Sequence, residues 1–286
     1  MQYRTDLALE ATQQWNKNWP ADAHQREQQV GDITLTCLTL GEQSAAQLGR
    51  APGEYITAQL PPLSDNEQHL EQAARTIAGE LIRLLPASGT VLVVGLGNQA
   101  ITPDALGPSA ARMVLATRHI RGEFARSAGL EDLRSVAVLS PGVLGHTGVE
   151  SGELAASACA CVQPSAVIAV DALAAGSLSR LGCTVQLSNT GIAPGSGVGN
   201  NRRPLDRELL GVPVIGIGVP TVVDAATLAL ELTGGDGGET VSPRGASMMV
   251  TPREIELLIC VGLAFSVMLF TEITKLIQNA IEKKRK

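Results

Sequence analysis

Two aspartates stand where an α/β chain can carry out acid–base chemistry. Asp171 follows directly on the apolar run Ala166–Val170. Asp104 lies in the loop after Val91–Val94, which reads Gly95-Leu96-Gly97-Asn98-Gln99-Ala100-Ile101-Thr102-Pro103-Asp104. A lone aspartate at such a point reads first as a helix N-cap, because its oxygens accept the open amides of a first turn. Two of them at one sheet edge suggest more. Neighbouring strands lie about 4.8 Å apart, so carboxyls rising from adjacent strand ends can approach each other. Acids held that close repel when both are ionised, and one retains its proton. Such a pair can activate a water and protonate a departing amide nitrogen, the two needs of peptide-bond hydrolysis.

The other chemistry-bearing residues crowd onto the same edge. Gly97 and Asn98 shape the first loop, and His146 sits in the loop after Val136–Leu139. Glu150 and Glu153 suit the start of a helix, whose dipole favours acids there. Ser196 and Asn200 belong to the glycine-rich stretch 189–200. Gly195-Ser196-Gly197 lacks the strand-to-helix elbow of a serine hydrolase. Cys159 and Cys161 read as residues of one helix facing different sides, with no further ligands at zinc spacing. Gly95-x-Gly97-x-x-Ala100 matches the dinucleotide fingerprint, which needs a helix to begin at its second glycine. Pro103, with Asn98 and Thr102, works against that helix. No acid closes a second strand about 20 residues on, where the chain reads Arg118-His119-Ile120-Arg121. A non-catalytic nucleotide-binding module on Gly95 and Gly97 stays as the alternative of another class. No cofactor and no metal ligand is assigned.

The elements that must position these residues follow from periodicity. Residues 32–40 and 55–60 read as strands. Ser64-Asp65-Asn66-Glu67 reads as a capping box ahead of an amphipathic helix through Leu70, Ala74, Ile77, Leu81 and Leu84. Val91–Val94, Val136–Leu139, Ala166–Val170 and Val212–Ile217 are short continuous apolar runs, and Thr184–Leu187 is another. Such runs suit strands covered on both faces. Helical stretches around 107–118, 150–162 and 221–232 alternate with them. The fold class expected is α/β, a three-layer, mostly parallel sheet flanked by helices. In such sheets ligands bind beyond the carboxyl ends of the strands, where both aspartates stand.

The bulk properties narrow the classes. The chain has 286 residues, 28 acidic against 22 basic, for a net charge of −6. An acidic surface repels phosphate backbones on average, so no direct nucleic-acid partner is expected. Five cysteines without framework or zinc spacing point to a reducing compartment. The N-terminus lacks the apolar segment of a signal peptide. The stretch Leu257–Phe270 falls short of the roughly 20 residues that span a bilayer, so it reads as part of a buried C-terminal helix over about 252–284. No membrane partner is expected, and the location expected is cytoplasmic.

At these loops the sequence resembles the germination protease family. The likeness is carried by Arg4-Thr5-Asp6-Leu7-Ala8-Leu9-Glu10, by Val93-Val94-Gly95-Leu96-Gly97-Asn98 and by Thr102-Pro103-Asp104-Ala105-Leu106-Gly107-Pro108. It continues through Pro141-Gly142-Val143, Thr147-Gly148-Val149-Glu150 and Ile168-Ala169-Val170-Asp171-Ala172-Leu173. Thr190-Gly191-Ile192, Pro194-Gly195-Ser196-Gly197-Val198-Gly199-Asn200, the run 217–225 and Met249-Val250-Thr251-Pro252 extend it over nearly the whole chain. The resemblance implies an aspartic-type endopeptidase that degrades small acid-soluble spore proteins during germination, in the spore core, as a homotetramer. It places the two catalytic aspartates on Asp104 and Asp171. It also implies a zymogen that removes its own N-terminal segment, here residues 1–6 by a cut between Asp6 and Leu7, leaving 7–286 as a single α/β protease domain. The family's fold is similar to that of the hydrogenase-maturation proteases, whose acids and a histidine hold a metal; a metal-dependent maturation-type endopeptidase is therefore the enzymatic alternative. Two departures stand out: Gly176 occupies a position where the family more often has arginine, and Gly234–Gly238 replaces a longer insertion.

Overall fold

Runs of Val, Leu, Ile and Ala with no polar alternation must be covered on both faces, and in the computed structural model they form the centre of one sheet. The structure describes residues 5–16, 18–61, 67–120, 122–127, 130, 133–195, 203–234 and 248–251. The strands are β1 (Ala23–Val30), β2 (Ile33–Leu40), β3 (Gly53–Gln59), β4 (Val91–Gly95), β5 (Val136–Leu139), β6 (Ala166–Ala175), β7 (Thr184–Ser188), β8 (Val214–Asp224) and β9 (Met249–Val250). Their order across the sheet is β1-β2-β3-β7-β8-β6-β4-β5, with β9 on the far end of β8.

Strands β8, β6, β4 and β5 run parallel to one another, whereas β1, β2, β3 and β7 pair antiparallel up to and including β7 against β8, and β9 pairs antiparallel with β8. The sheet is therefore mixed rather than mostly parallel. The apolar runs marked the four parallel strands and β7, whereas β1, at the outer edge of the antiparallel half, has the sequence Ala-His-Gln-Arg-Glu-Gln-Gln-Val, which carries no hydrophobic period. That strand lies at the sheet edge and is largely exposed, so polarity there costs nothing and discourages pairing with another chain. Its register with β2 is set by a two-residue turn at Gly31-Asp32, with Gly31 at φ +58°.

The helices are α1 (Ala8–Ala11), α2 (Glu42–Leu48), α3 (Glu67–Leu84), α4 (Leu106–Met113), α5 (Gly122–Ser127), α6 (Leu144–Thr147), α7 (Ser151–Val162), α8 (Arg207–Leu210) and α9 (Ala225–Thr233). Alternation along each central strand divides the core in two. Val91, Val93, Ile168, Val170, Ile215 and Ile217 face α3 and α4. Leu92, Val94, Val167, Ala169 and Val214 face α7 and α8. This is the three-layer arrangement, a sheet with helices on both faces. Ala74, Ile77 and Leu81 of α3 are buried at the expected helical spacing. Helix α4 stops at Met113, short of the expected 118, because Thr117 and Arg118 turn their amides to the carbonyl of Val136 beside β5. The Ser64 capping box, the stretch 235–238, Pro252 and the C-terminal helix expected over 252–284 lie outside the described residues. Among the described residues no helix is long and apolar enough to cross a membrane.

Candidate active site

The β4–α4 loop brings Asp104 back over the end of β4. The loop leaves the strand at Gly95, makes a 3-10 turn over Thr102–Asp104, and enters α4 at Leu106. Two glycines let it lie this close. A Cβ on Gly107 would sit 2.1 Å from the carbonyl oxygen of Leu96 and 2.4 Å from that of Val170, so only glycine lets α4 rest on the strand ends. Gly97 has φ +117°, and a Cβ there would lie 2.1 Å from the carbonyl oxygen of Asp104. The N-cap of α4 is Ala105, so Asp104 does not cap that helix. Its Oδ2 accepts instead from the Asn98 amide at 2.8 Å, and the Asn98 side chain accepts from Ala100 at 3.0 Å. The helix demanded by a dinucleotide fingerprint at Gly97 is thus replaced by a turn that aims an acid.

Asp171 differs from the expectation in one respect. It does not end its strand; β6 runs on to Ala175, because β8 continues beside it and keeps its backbone paired. The ladder with β4 nevertheless closes at Gly95 opposite Val170, so Asp171 is the first residue of β6 beyond the end of β4. Its side chain is almost fully buried, and its Oδ1 accepts from the Ala172 amide at 2.9 Å. Asp104 and Asp171 line the same cavity, of about 270 Å³, and Asp6 lines it with them.

Thr221 and Gln186 escaped the sequence reading. The register of β8 against β6 slips by one residue after Pro220, which has no amide to donate, and this bulge adds Thr221. Thr221 lines the cavity and its hydroxyl donates to the carbonyl of Pro103 at 2.8 Å, tying β8 to the Asp104 loop. The signal was the proline inside an otherwise apolar run. Gln186 is a buried carboxamide on β7. Its Oε1 accepts from the Ala8 amide at 2.7 Å and its Nε2 donates to the Asp6 carbonyl at 3.3 Å. A long polar side chain inside Thr184–Ser188 was the available clue.

The N-terminal segment is seated beside the cavity. The Asp6 amide donates to Ala174 at 2.9 Å and the Ala174 amide returns a bond to Asp6 Oδ2 at 2.8 Å. Leu7 is fully buried with Leu173, Ala175 and Val223, a contact worth about 1.5–3 kcal/mol. Glu10 anchors the far end, its Oε2 accepting from the Thr5 hydroxyl and, at 2.7 Å, from the amide of Gly176. Burial pushes the Glu10 carboxyl above its ordinary value, partly opposed by these bonds and by Arg180. Its Oε1 is buried without a hydrogen-bond partner.

Of the remaining candidates, Gly97 lines the cavity and Asn98 holds its backbone turn. His146 is exposed on α6 and lies outside the cavity lining. Glu150 is the N-cap of α7, exchanging capping-box bonds with Glu153, and also lies outside it. Ser196 and Asn200 lie outside the described residues; the loop enters the cavity wall at Pro194 and Gly195. Among the described residues no three His, Cys, Asp or Glu side chains converge as metal ligands do.

Comparison with known proteins gives the family. The model of the germination protease family matches residues 5–233, a span that includes both aspartates and the seated N-terminal segment. A germination protease of Caldanaerobacter subterraneus subsp. tengcongensis is 41% identical over 289 aligned positions, covering 90% of this chain and 89% of that protein. One of Clostridium tetani is 42% identical over 236 positions, covering 80% of this chain and 73% of its own. One of Clostridium acetobutylicum is 41% identical over 237, covering 79% and 72%. With a family match over most of its length and relatives at this identity, the chain belongs to the germination protease family.

Proposed function

We propose that this chain is an endopeptidase that cuts small acid-soluble spore proteins during germination, using Asp104 and Asp171 as an aspartic-type pair. The observation that carries the reading is their shared cavity at the carboxyl end of the parallel strands. In the reaction one carboxylate takes a proton from a water held between the pair, and the water oxygen bonds to the scissile carbonyl carbon. The other acid, still protonated, gives its proton to the departing amide nitrogen. The Asn98 amide on Asp104 and the Ala172 amide on Asp171 fix where each carboxyl points.

The chain begins as a zymogen and is processed between Asp6 and Leu7, removing residues 1–6 and leaving 7–286 as the protease domain. Support comes from the position of that bond, whose first residue lines the cavity of the pair. By family likeness the enzyme works as a homotetramer in the cytoplasm of the developing spore, on a fold akin to the hydrogenase-maturation proteases. It needs no cofactor.

The test is incubation of the purified protein with a small acid-soluble spore protein, with the products mapped by mass spectrometry and a chelator added in a parallel reaction. Discrete internal cuts that persist under chelation support the proposal. An uncut substrate would remove it. Cutting that chelation abolishes and a divalent ion restores would favour the metal-dependent reading.

A further inference from the structure

Gln186 is held against the bond proposed for processing from both sides. An amide nitrogen can only donate, so the Ala8 N–H fixes the carboxamide with Oε1 toward Ala8 and Nε2 toward Asp6. One side chain thereby binds the carbonyl of the residue before the bond and the amide of the residue after Leu7. The sheet explains how it comes to be there. Gln186 on β7, Gly218 on β8 and Asp171 on β6 lie in one register row. Paired residues in a row point to the same face, so Gln186 and Asp171 project to the side on which the N-terminal segment lies. Gly218 between them has no side chain, and Leu173 fills the space its Cβ would take. Leu173 in turn packs on Leu7. The backbone of Asp6 is fixed independently by Ala174.

We propose that Gln186 is a further catalytic residue for cleavage of the Asp6–Leu7 bond, its Nε2–H stabilising the oxyanion that forms on the Asp6 carbonyl oxygen. This rests on the processing reading above and adds a second donor to the O–H of the protonated aspartate. As the water oxygen bonds to the Asp6 carbonyl carbon, one water proton passes to the ionised carboxylate of the pair. The carbonyl π electrons move onto the oxygen, and the bond from Nε2 tightens on that charge. Collapse restores the C=O bond and breaks the C–N bond. The Leu7 nitrogen takes a proton from the other acid, giving an Asp6 carboxyl and a Leu7 amine. The bond from Oε1 to Ala8 keeps the leaving side in place while this happens.

The experiment follows conversion of the purified full chain to the species beginning at Leu7, by intact mass over time, for wild type, Gln186→Met, Gln186→Glu and Asp104→Asn. Removal of one oxyanion donor slows such reactions by roughly 10²–10³-fold, and that loss is expected for Gln186→Met. Gln186→Glu keeps the acceptor for Ala8 and loses the donor at neutral pH. Once protonated, its carboxyl offers an O–H, so its rate relative to wild type recovers as pH falls, and that of Gln186→Met does not. Should Gln186→Met fail to fold, the pH profile of Gln186→Glu against wild type decides alone. Processing of both Gln186 variants at the wild-type rate, with Asp104→Asn blocked, would overturn the role of Gln186 and leave the aspartate reading standing. Slowing of Gln186→Glu by one constant factor at every pH would mark a purely structural residue and also overturn it. A wild-type chain that stays intact between Asp6 and Leu7 would overturn the processing reading, and this inference with it.

Discussion

At the scale of single residues, the site depends on backbone geometry that few side chains tolerate. Gly97→Ala places a Cβ against the carbonyl of Asp104 and demands φ +117° of a residue that avoids it. A cost of about 1–3 kcal/mol is expected from the strain. Displacement of Asp104 should lower kcat/KM by ten- to a hundredfold. Urea unfolding and steady-state kinetics of this variant check both numbers. Glu10 gives a pH signature. Its folded value is raised above 4.5, so the folded chain holds this proton more tightly than the unfolded one. The stability it contributes is complete below that unfolded value and is lost as pH rises through the folded one. Glu10→Gln removes the titration. The unfolding midpoint of wild type should therefore fall relative to the variant as pH rises from about 4.5, then level off; a constant difference across pH would refute the assignment. Asp104 and Asp171 stood out as candidates in the sequence because each follows an unbroken apolar run. Gln186 was not, since its partners Asp6 and Ala8 are 180 and 178 residues away.

At the scale of elements, strand ends and one bulge place the chemistry. The parallel strands announced themselves as unbroken apolar runs. β1 could not, being polar from His24 to Gln29, and the antiparallel pairing of β3 with β7 joins segments more than a hundred residues apart, which no local pattern reveals. The ends of β6 and β8 were hidden for a related reason. An aspartate or a proline normally closes a strand, yet here each strand supports the other past that point, through Ala175 and Asp224. The bulge this creates has a measurable consequence. Thr221→Val keeps the shape and removes the bond to Pro103. A loss of about 0.5–1.5 kcal/mol is expected, with kcat lowered more than KM is raised, because the Asp104 loop loses its tie to β8. Thermal unfolding and a kcat–KM comparison test this; unchanged turnover would remove Thr221 from the positioning of Asp104.

At the scale of the whole molecule, the two hydrophobic layers and the seated N-terminal segment make one unit around the cavity. Thiol chemistry reports on its integrity. Cys161 is exposed, whereas burial, together with the hydrogen bond to Glu54, pushes the Cys37 thiol up to about 11. At pH 8 roughly one Cys37 in a thousand is then thiolate, and the thiolate is the reactive form. Alkylation of the native protein should modify Cys161 well before Cys37, read by peptide mass; equal rates would contradict the packing between β2 and β3. The central claim is that Asp104 and Asp171 act as one unit, and a double-mutant cycle on substrate cleavage measures this most directly. Asp104→Asn and Asp171→Asn should each lower kcat by about 10²–10⁴-fold, and the double variant should be no slower than the slower single. A single variant that cuts at the wild-type rate, or two losses that multiply, would contradict the account.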